Sequence, residues 1–286
     1  MTDINTLRER AKKIKLFATD LDGTLLDQKH ILHDDSRDAL IRLHGNGIVL
    51  AIATGRALSS LPASITSLKG IKYLITVNGA KIFLKENNEL IYEKYLSEAA
   101  LDSVLHLLSD PEVMMEIFWD DVPHVELSKY NKAKDYGIPR WFSSYFFDSR
   151  RPLENIHSAI RENRNKIENI NFIFGNDIVK ERVYRELVKN NDLFALTSAF
   201  SFNFEIGCAG VNKGAALDFL ANLEGFRPEE IICFGDNDND VPMIEYAGIG
   251  IATANAVPRA LAAAAYVTED NENEGVAKAL KLLGLV

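Results

Sequence analysis

The chain has 286 residues, and its 32 Lys+Arg against 41 Asp+Glu give a formal charge of −9. At roughly 150 residues per domain the length suggests about two domains, and 47% hydrophobic content can fill a sizeable core, which excludes disorder as a description of the whole. The acidic balance argues against gripping nucleic-acid phosphates, which depends on clustered Lys and Arg, so no nucleic-acid partner is expected.

The longest apolar run, Ala260 to Val267, is far short of the roughly 20 residues that a membrane-spanning helix needs. Residues 1–15 are charged rather than apolar, so neither a leader nor a membrane anchor is expected, and the cytoplasm is the expected location. Cys208 and Cys233 form no C-x-x-C pair and read as reduced, structurally placed thiols. His30, His33, His44, His106, His124 and His157 show no H-E-x-x-H spacing and read as surface or packing residues.

In chain order, Ile14 to Thr19 reads as a buried strand running into Asp20-Leu21-Asp22-Gly23-Thr24. Ser36 to His44 has helical spacing and stops at Gly45-Asn46-Gly47. Ile48 to Ala53 is a second apolar run ending in Thr54-Gly55-Arg56, and Tyr73 to Val77 is a third ending in Asn78-Gly79. Short β-branched runs alternating with helices indicate an α/β fold, doubly wound, with a mainly parallel Rossmann-like sheet covered on both faces. Residues 82–84 and 90–92 flank a turn and read as a hairpin.

From about Leu96 the rhythm changes. A helix is expected over 97–109, a strand over 113–118, an aromatic-rich stretch around Trp141 to Phe147, a helix over 152–163, a strand over 170–174, a helix over 177–190 and a strand over 194–197. The first rhythm resumes near Phe204, with a helix from Asn212 to Leu223, a strand over 231–234, and the acidic loop Gly235 to Asp240 leading into a helix from Val241. A strand over 248–252, an Ala-rich helix, Ala265-Tyr266-Val267 and a closing helix over 275–283 follow. The expected organisation is a core of residues 1–95 and 204–286 interrupted by an inserted α+β domain of residues 96–203.

In an open parallel sheet, ligands bind beyond the carboxyl ends of the strands, which is where Asp20, Asp22, Thr54, Asp236 and Asp240 fall. Four gathered carboxylates would repel one another in a partly desolvated pocket. A hard divalent cation relieves this, and Mg²⁺ is the natural choice because it pairs carboxylates with water and substrate phosphate. Asp238 reads instead as a turn or capping residue. Two aspartates two residues apart at a strand end can divide the chemistry of phosphate-ester hydrolysis: Asp20 suits attack on phosphorus, and Asp22 suits protonation of the leaving oxygen and activation of water. Thr54, the Gly55 amide and Lys213 can hold phosphate oxygens.

Asp20-Leu21-Asp22-Gly23-Thr24-Leu25, Thr54-Gly55-Arg56, Asn78-Gly79-Ala80, Val211-Asn212-Lys213-Gly214 and Gly235-Asp236-Asn237-Asp238-Asn239-Asp240-x-x-Met243 together resemble the ordered motifs of the haloacid dehalogenase superfamily, Cof-type phosphatase branch. The resemblance implies Asp20 as phosphoaspartyl nucleophile and metal ligand, and Asp22 as general acid/base with its carbonyl on the metal. It further implies Asp236 as a metal ligand, phosphate contacts from Leu21, Thr54, Gly55, Lys213 and Asn239, and Asp240 as the group that orients Lys213 or a metal-bound water. The insert would be the larger kind of cap, and the substrate a small phosphorylated metabolite such as a sugar phosphate or phosphorylated cofactor. A sugar phosphomutase using the same aspartyl chemistry and a non-catalytic phospho-ligand sensor are the alternatives, while dehalogenation is not expected because the family's dehalogenases lack this aspartate pair. The oligomeric state is not legible.

Asn237 stands where the family has a second glycine, and Thr253-Ala254 where it has Met-Gly; both could shift backbone beside the metal. The lysine often found after Asn255-Ala256 is missing, with Pro258-Arg259 nearby. Gly248-Ile249-Gly250 lacks the third glycine of a dinucleotide loop, because Thr253 stands there. Arg161 to Lys166 reads as a solvated helix face, and Arg56 as either a phosphate contact or a loop brace. Trp119, Asp120, Asp121, Tyr130, Arg140 and Trp141 are candidate substrate contacts that compete with a core reading.

Overall fold

The computed structural model describes residues 2–286, except for the side chain of Trp141, so that candidate lies outside the described set. The strands in chain order are β1 (Leu16–Thr19), β2 (Val49–Ala53), β3 (Ile71–Thr76), β4 (Lys81–Leu84), β5 (Glu89–Glu93), β6 (Val113–Trp119), β7 (Val122–Glu126), β8 (Arg151–Leu153), β9 (Asn169–Phe174), β10 (Phe194–Thr197), β11 (Asn203–Cys208), β12 (Ile231–Gly235), β13 (Ile249–Ala252) and β14 (Tyr266–Val267). They form two sheets, one of eight strands in the order β14-β13-β12-β1-β2-β3-β4-β5 and one of six in the order β10-β11-β9-β6-β7-β8.

The eight-stranded sheet belongs to a unit that runs from the N-terminus to Gly55 and includes Leu61–Tyr92 and Asn212–Val286. Its strands from β14 to β3 pair in parallel, and β4 turns back antiparallel to β3. Both faces of the sheet are covered, which is why β1 reads as an unbroken apolar run. Leu16 and Ala18 pack with Leu217 and Leu220 of the helix Lys213–Glu224, while Phe17 points to the other face and is fully buried. Strand order reverses between β1 and β12, so their carboxyl ends, Thr19 and Phe234 in register, flank the switch point of the sheet.

The second unit comprises Glu93–Val211 together with Arg56–Ser60. Its sheet is antiparallel except for the parallel pair β7 and β8. One face, carrying Met115, Ile117, Ile170, Phe172 and Ile206, packs on the helices Glu98–Val104, Ile156–Glu162 and Asp177–Leu187. On the other face Met114, Val125 and Ile173 pack with Phe142 and Phe146 of the helix Arg140–Ser149.

The expected boundaries at 95/96 and 203/204 do not coincide with this division. β11 pairs with β9 and β10 in the six-stranded sheet, Phe204 opposite Phe172 and Ile206 opposite Ile170, so the chain leaves this unit only at Val211. Its short apolar pattern suits either sheet, and the pairing partner decides. The helix expected over 152–163 is also shorter than its pattern. Pro152, which has no N–H to donate, sits in the edge strand β8, and Asn155 caps a helix confined to Ile156–Glu162.

A polar network lies inside the second unit. Arg150 makes a bidentate contact with Glu116, at 2.7 and 3.0 Å, and Asn171 donates to the same carboxylate. Asn203 bridges Asn171 and Glu205. Replacing Glu116 by Ala leaves the buried guanidinium without its counter-ion, so Glu116→Ala is expected to cost about 3–5 kcal/mol. A lowered urea midpoint in equilibrium unfolding is the measurement, and an unchanged midpoint would show that the network contributes nothing to stability.

Candidate active site

The sequence bends sharply after β1. The Asp20 amide donates to Phe234 O, and the carbonyl of Leu21 then accepts from the amides of Thr24, Leu25 and Leu26, closing a tight loop with a bridge between Asp22 and Leu26. Gly23 makes this possible: its φ is +86°, and a Cβ there would lie 2.4 Å from Asp236 Oδ2. Thr24 Oγ1 donates to Asp236 Oδ1 at 2.7 Å, so the loop after β1 orients the carboxylate that follows β12.

Asp240 anchors the opposite side. Its Oδ2 accepts the amides of Asp236 and Asn237, each at 2.9 Å, and its Oδ1 accepts from Lys213 Nζ at 2.6 Å. Lys213 opens the helix Lys213–Glu224, capped by Asn212, and also donates to Asp20 Oδ1 at 2.6 Å. That helix sits close because residue 214 is glycine, whose missing Cβ would lie 2.5 Å from the Pro242 carbonyl oxygen.

Asp20, Asp236 and Asp240 are all buried and offer carboxylate oxygens within 4.8 Å of one another. Burial pushes Asp20 up from its ordinary 3.8 to about 7; Asp240 and Asp22 add to the rise, and Lys213 opposes it. Asp236 is driven well above its ordinary value, again chiefly by burial and then by Asp240 and Asp20. For Lys213, burial favours the neutral form, but Asp20 and Asp240 outweigh it and hold the ammonium charged. Three carboxylates therefore face one cation. A hard divalent ion such as Mg²⁺ fits the remaining charge and the all-oxygen donor set. Both oxygens of Asp240 already serve Lys213 and backbone amides, which suits an anchor; Asp20 and Asp236 suit ligands.

Asp22 lies outside this carboxylate group, with Oδ1 2.9 Å from Nδ1 of His30. Thr54 is buried at the end of β2, its amide bound to Ile75 O and its carbonyl accepting from Asn78. Asn239, expected at phosphate, donates Nδ2 to Asn78 Oδ1 at 3.0 Å. Asn78 belongs to the Asn78-Gly79-Ala80 motif. It stands in left-handed backbone (φ 55°) directly after Val77, whose φ of 50° is unusual for a β-branched residue. An Asn-Gly after an apolar run was the available signal. The histidines of the loop after Asp22 carried none; His30 became visible only once the loop closed.

Asn237 replaces glycine without strain: its φ of −123° is open to any residue, and its side chain accepts from the Asp238 amide. Thr253 is buried, its amide bonded to Gly235 O and its hydroxyl 3.4 Å from Gly23 O. Asp238 makes an ion pair with Arg259. Arg56 donates to Ser60 O and lies over the Tyr145 ring, the geometry of a loop brace. In the second unit Trp119 is buried and stacked on His124, and Tyr130 packs against Phe146. Asp120 and Asp121, both with positive φ, form the two-residue turn between β6 and β7. Arg140 is exposed at the start of its helix.

The fold and site define a two-unit α/β hydrolase whose acidic centre sits at the switch point of a parallel sheet. A family model described as haloacid dehalogenase-like hydrolase matches residues 17–280, and the chain belongs to that family, among its phosphatases. It is 31% identical over 270 residues to the 5-amino-6-(5-phospho-D-ribitylamino)uracil phosphatase YcsE of Bacillus subtilis, covering 94% of this chain and 95% of that one. It is 30% identical over 249 residues to the HMP-PP phosphatase of Cronobacter sakazakii, covering 87% of each. A solved haloacid dehalogenase-like hydrolase from B. subtilis superposes with a TM-score of 0.81 at 26% identity, covering 94% of this chain and 99% of that one.

The raised Asp20 value fixes the sign of a pH effect. The folded, metal-free site keeps a proton on Asp20 that the unfolded chain releases, so this group's contribution to stability is fullest below pH 3.8 and fades as pH rises towards about 7. A divalent ion needs the carboxylates ionised, so its binding strengthens over the same interval. The rise in Tm on adding Mg²⁺ is expected to be larger at about pH 8 than at about pH 6, and a pH-independent shift in scanning calorimetry would contradict the protonated resting site.

Proposed function

We propose that the chain is a Mg²⁺-dependent phosphomonoesterase that hydrolyses small phosphorylated metabolites through a phosphoaspartyl intermediate on Asp20. The observation that carries this reading is the gathering of Asp20, Asp236 and Asp240 at the switch point of the sheet, with Lys213 bonded to Asp20 and Asp240.

Asp20 supplies the attacking carboxylate oxygen. As its bond to phosphorus forms, the bond to the leaving oxygen breaks, and Asp22 gives that oxygen a proton. Asp22 then takes a proton from water, whose oxygen attacks the same phosphorus and releases phosphate, restoring the Asp20 carboxylate. Lys213, steered by Asp240, balances charge on the phosphoryl oxygens, and Thr54 with the amides of Leu21 and Gly55 surrounds them. Asn239 joins them by turning its amide from Asn78. Asp20, Asp236 and the Asp22 carbonyl would hold Mg²⁺, which offsets the negative charge shared by phosphate and carboxylates when bound.

Substrates in the class of sugar phosphates and phosphorylated cofactors fit this chemistry, and two relatives are named for a phosphoribityl-uracil compound and for HMP-PP. The inserted α+β unit serves as the cap that selects among leaving groups, and the cytoplasm is the location consistent with such substrates.

Asp20→Asn keeps the shape of the side chain but removes the nucleophile. Phosphate release from a panel of metabolite monoesters is expected to fall at least about 10³-fold, a loss of roughly 4 kcal/mol of transition-state stabilisation. Metal-dependent turnover surviving in that variant would refute the nucleophile assignment. EDTA is expected to abolish turnover in the unmodified protein and added Mg²⁺ to restore it; insensitivity to EDTA would remove the metal from the proposal.

A further inference from the structure

The loop that follows the Asp22 turn is built around one buried side chain, Asp27. Its Oδ1 accepts the amides of Lys29 and Ile31, both at 2.8 Å, and its backbone amide and carbonyl bind Ile31 O and His30 N. His33 Nε2 lies 3.2 Å from Asp27 Oδ2. The loop is pinned from outside as well: Asn271 donates to Leu26 O, and Glu272 accepts the amide of Gln28.

Within this closed ring His30 takes a left-handed conformation (φ 59°), uncommon for a residue with a Cβ and found mostly where surroundings enforce it. Asp27 and its partners supply that enforcement. The consequence is the direction of the imidazole, which brings Nδ1 to 2.9 Å from Asp22 Oδ1, with both side chains about four-fifths buried (20% and 17% exposed).

We propose that His30 is a positioning residue for the acid–base step, its Nδ1–H fixing the rotamer and plane of the Asp22 carboxylate. This rests on the phosphatase reading of Asp20 and Asp22. His30 exchanges no proton with substrate. In the first step Asp22 delivers its proton to the leaving oxygen as the bond from phosphorus to that oxygen breaks and the Asp20 oxygen bonds to phosphorus. A carboxylate without this donor holds the geometry of delivery less often, although attack by Asp20 is untouched.

Leaving groups separate this role from a merely structural one. An alkyl phosphate expels an alkoxide that needs the proton, whereas p-nitrophenyl phosphate expels a stable phenolate that does not. His30→Gly accepts the left-handed backbone and has no donor. His30→Asn also tolerates that backbone, and its Nδ2 is the same number of bonds from the main chain as the imidazole Nδ1. kcat/KM is the quantity to compare, because it reports the steps up to departure of the leaving group.

His30→Gly is expected to lower kcat/KM for a sugar phosphate at least about 10-fold more than for p-nitrophenyl phosphate, with His30→Asn recovering most of the difference. Equal losses on the two substrates, no loss on either, or identical behaviour of the two variants would overturn the proposal. If the glycine variant does not fold, His30→Phe, which keeps a ring in the same place and has no donor, carries the same comparison. Asp20→Asn, measured alongside, separates the two levels of the argument: activity there overturns the nucleophile assignment and this inference with it, whereas inactivity there with leaving-group-independent losses at position 30 overturns this inference alone.

Discussion

Two carboxylates, Asp20 and Asp240, share one buried ammonium in this protein with a third, Asp236, beside them, and most of the surrounding architecture keeps them there. Lys213 reaches both Asp20 and Asp240 from the first residue of a helix, and Asp240 ties the backbone after β12 to that helix through two amides. Such a cluster persists away from water only when each charge is held by geometry that cannot relax. The sheet supplies this rigidity, because β1 and β12 are neighbours whose register sets where Asp20 and Asp236 emerge.

The same constraint explains the small residues and local bonds around the centre. Glycine at 23 lets the backbone pass against the Asp236 carboxylate, and glycine at 214 lets two helices approach. Thr24 then fixes Asp236, and the Asp27 ring fixes His30 against Asp22. Asp22 and Asp240 are therefore held by chain close to them in sequence, whereas Asp20 and Asp236 take their partners, Lys213 and Thr24, from distant segments that the long connections of the fold bring together. Membership among the haloacid dehalogenase-like hydrolases accords with this division of labour.

Departures from the family pattern proved local. Asn237 occupies extended backbone, so a side chain there meets no conformational penalty, and Thr253 contributes an amide bond and a hydroxyl beside Gly23. The second unit follows a different logic. Its sheet carries an apolar layer on one face and, on the other, aromatic packing around Arg150, Glu116, Asn171 and Asn203, so much of its interior is specified by polar partners.

Strand and helix types in the parallel unit were legible because buried strands such as β1 and β2 are short, continuous and apolar, and their polar ends stand directly beside them in sequence. Asp20, Asp236, Asp240 and Lys213 could be grouped for the same reason: a parallel sheet places successive strand ends on one edge. What pattern could not supply was pairing. Phe204 and Ile206 carry the same alternation whichever sheet receives them, and only their register against Phe172 and Ile170 assigns them to the second unit. Nor could spacing reveal that Asn239 bonds to Asn78, or that His30 reaches Asp22, because both depend on left-handed residues that no periodicity marks. By itself the sequence determined the chemical inventory and the order of the elements, both encoded in local composition and periodicity; tertiary structure decided which side chains meet, because contact requires the closure of loops that no local signal specifies.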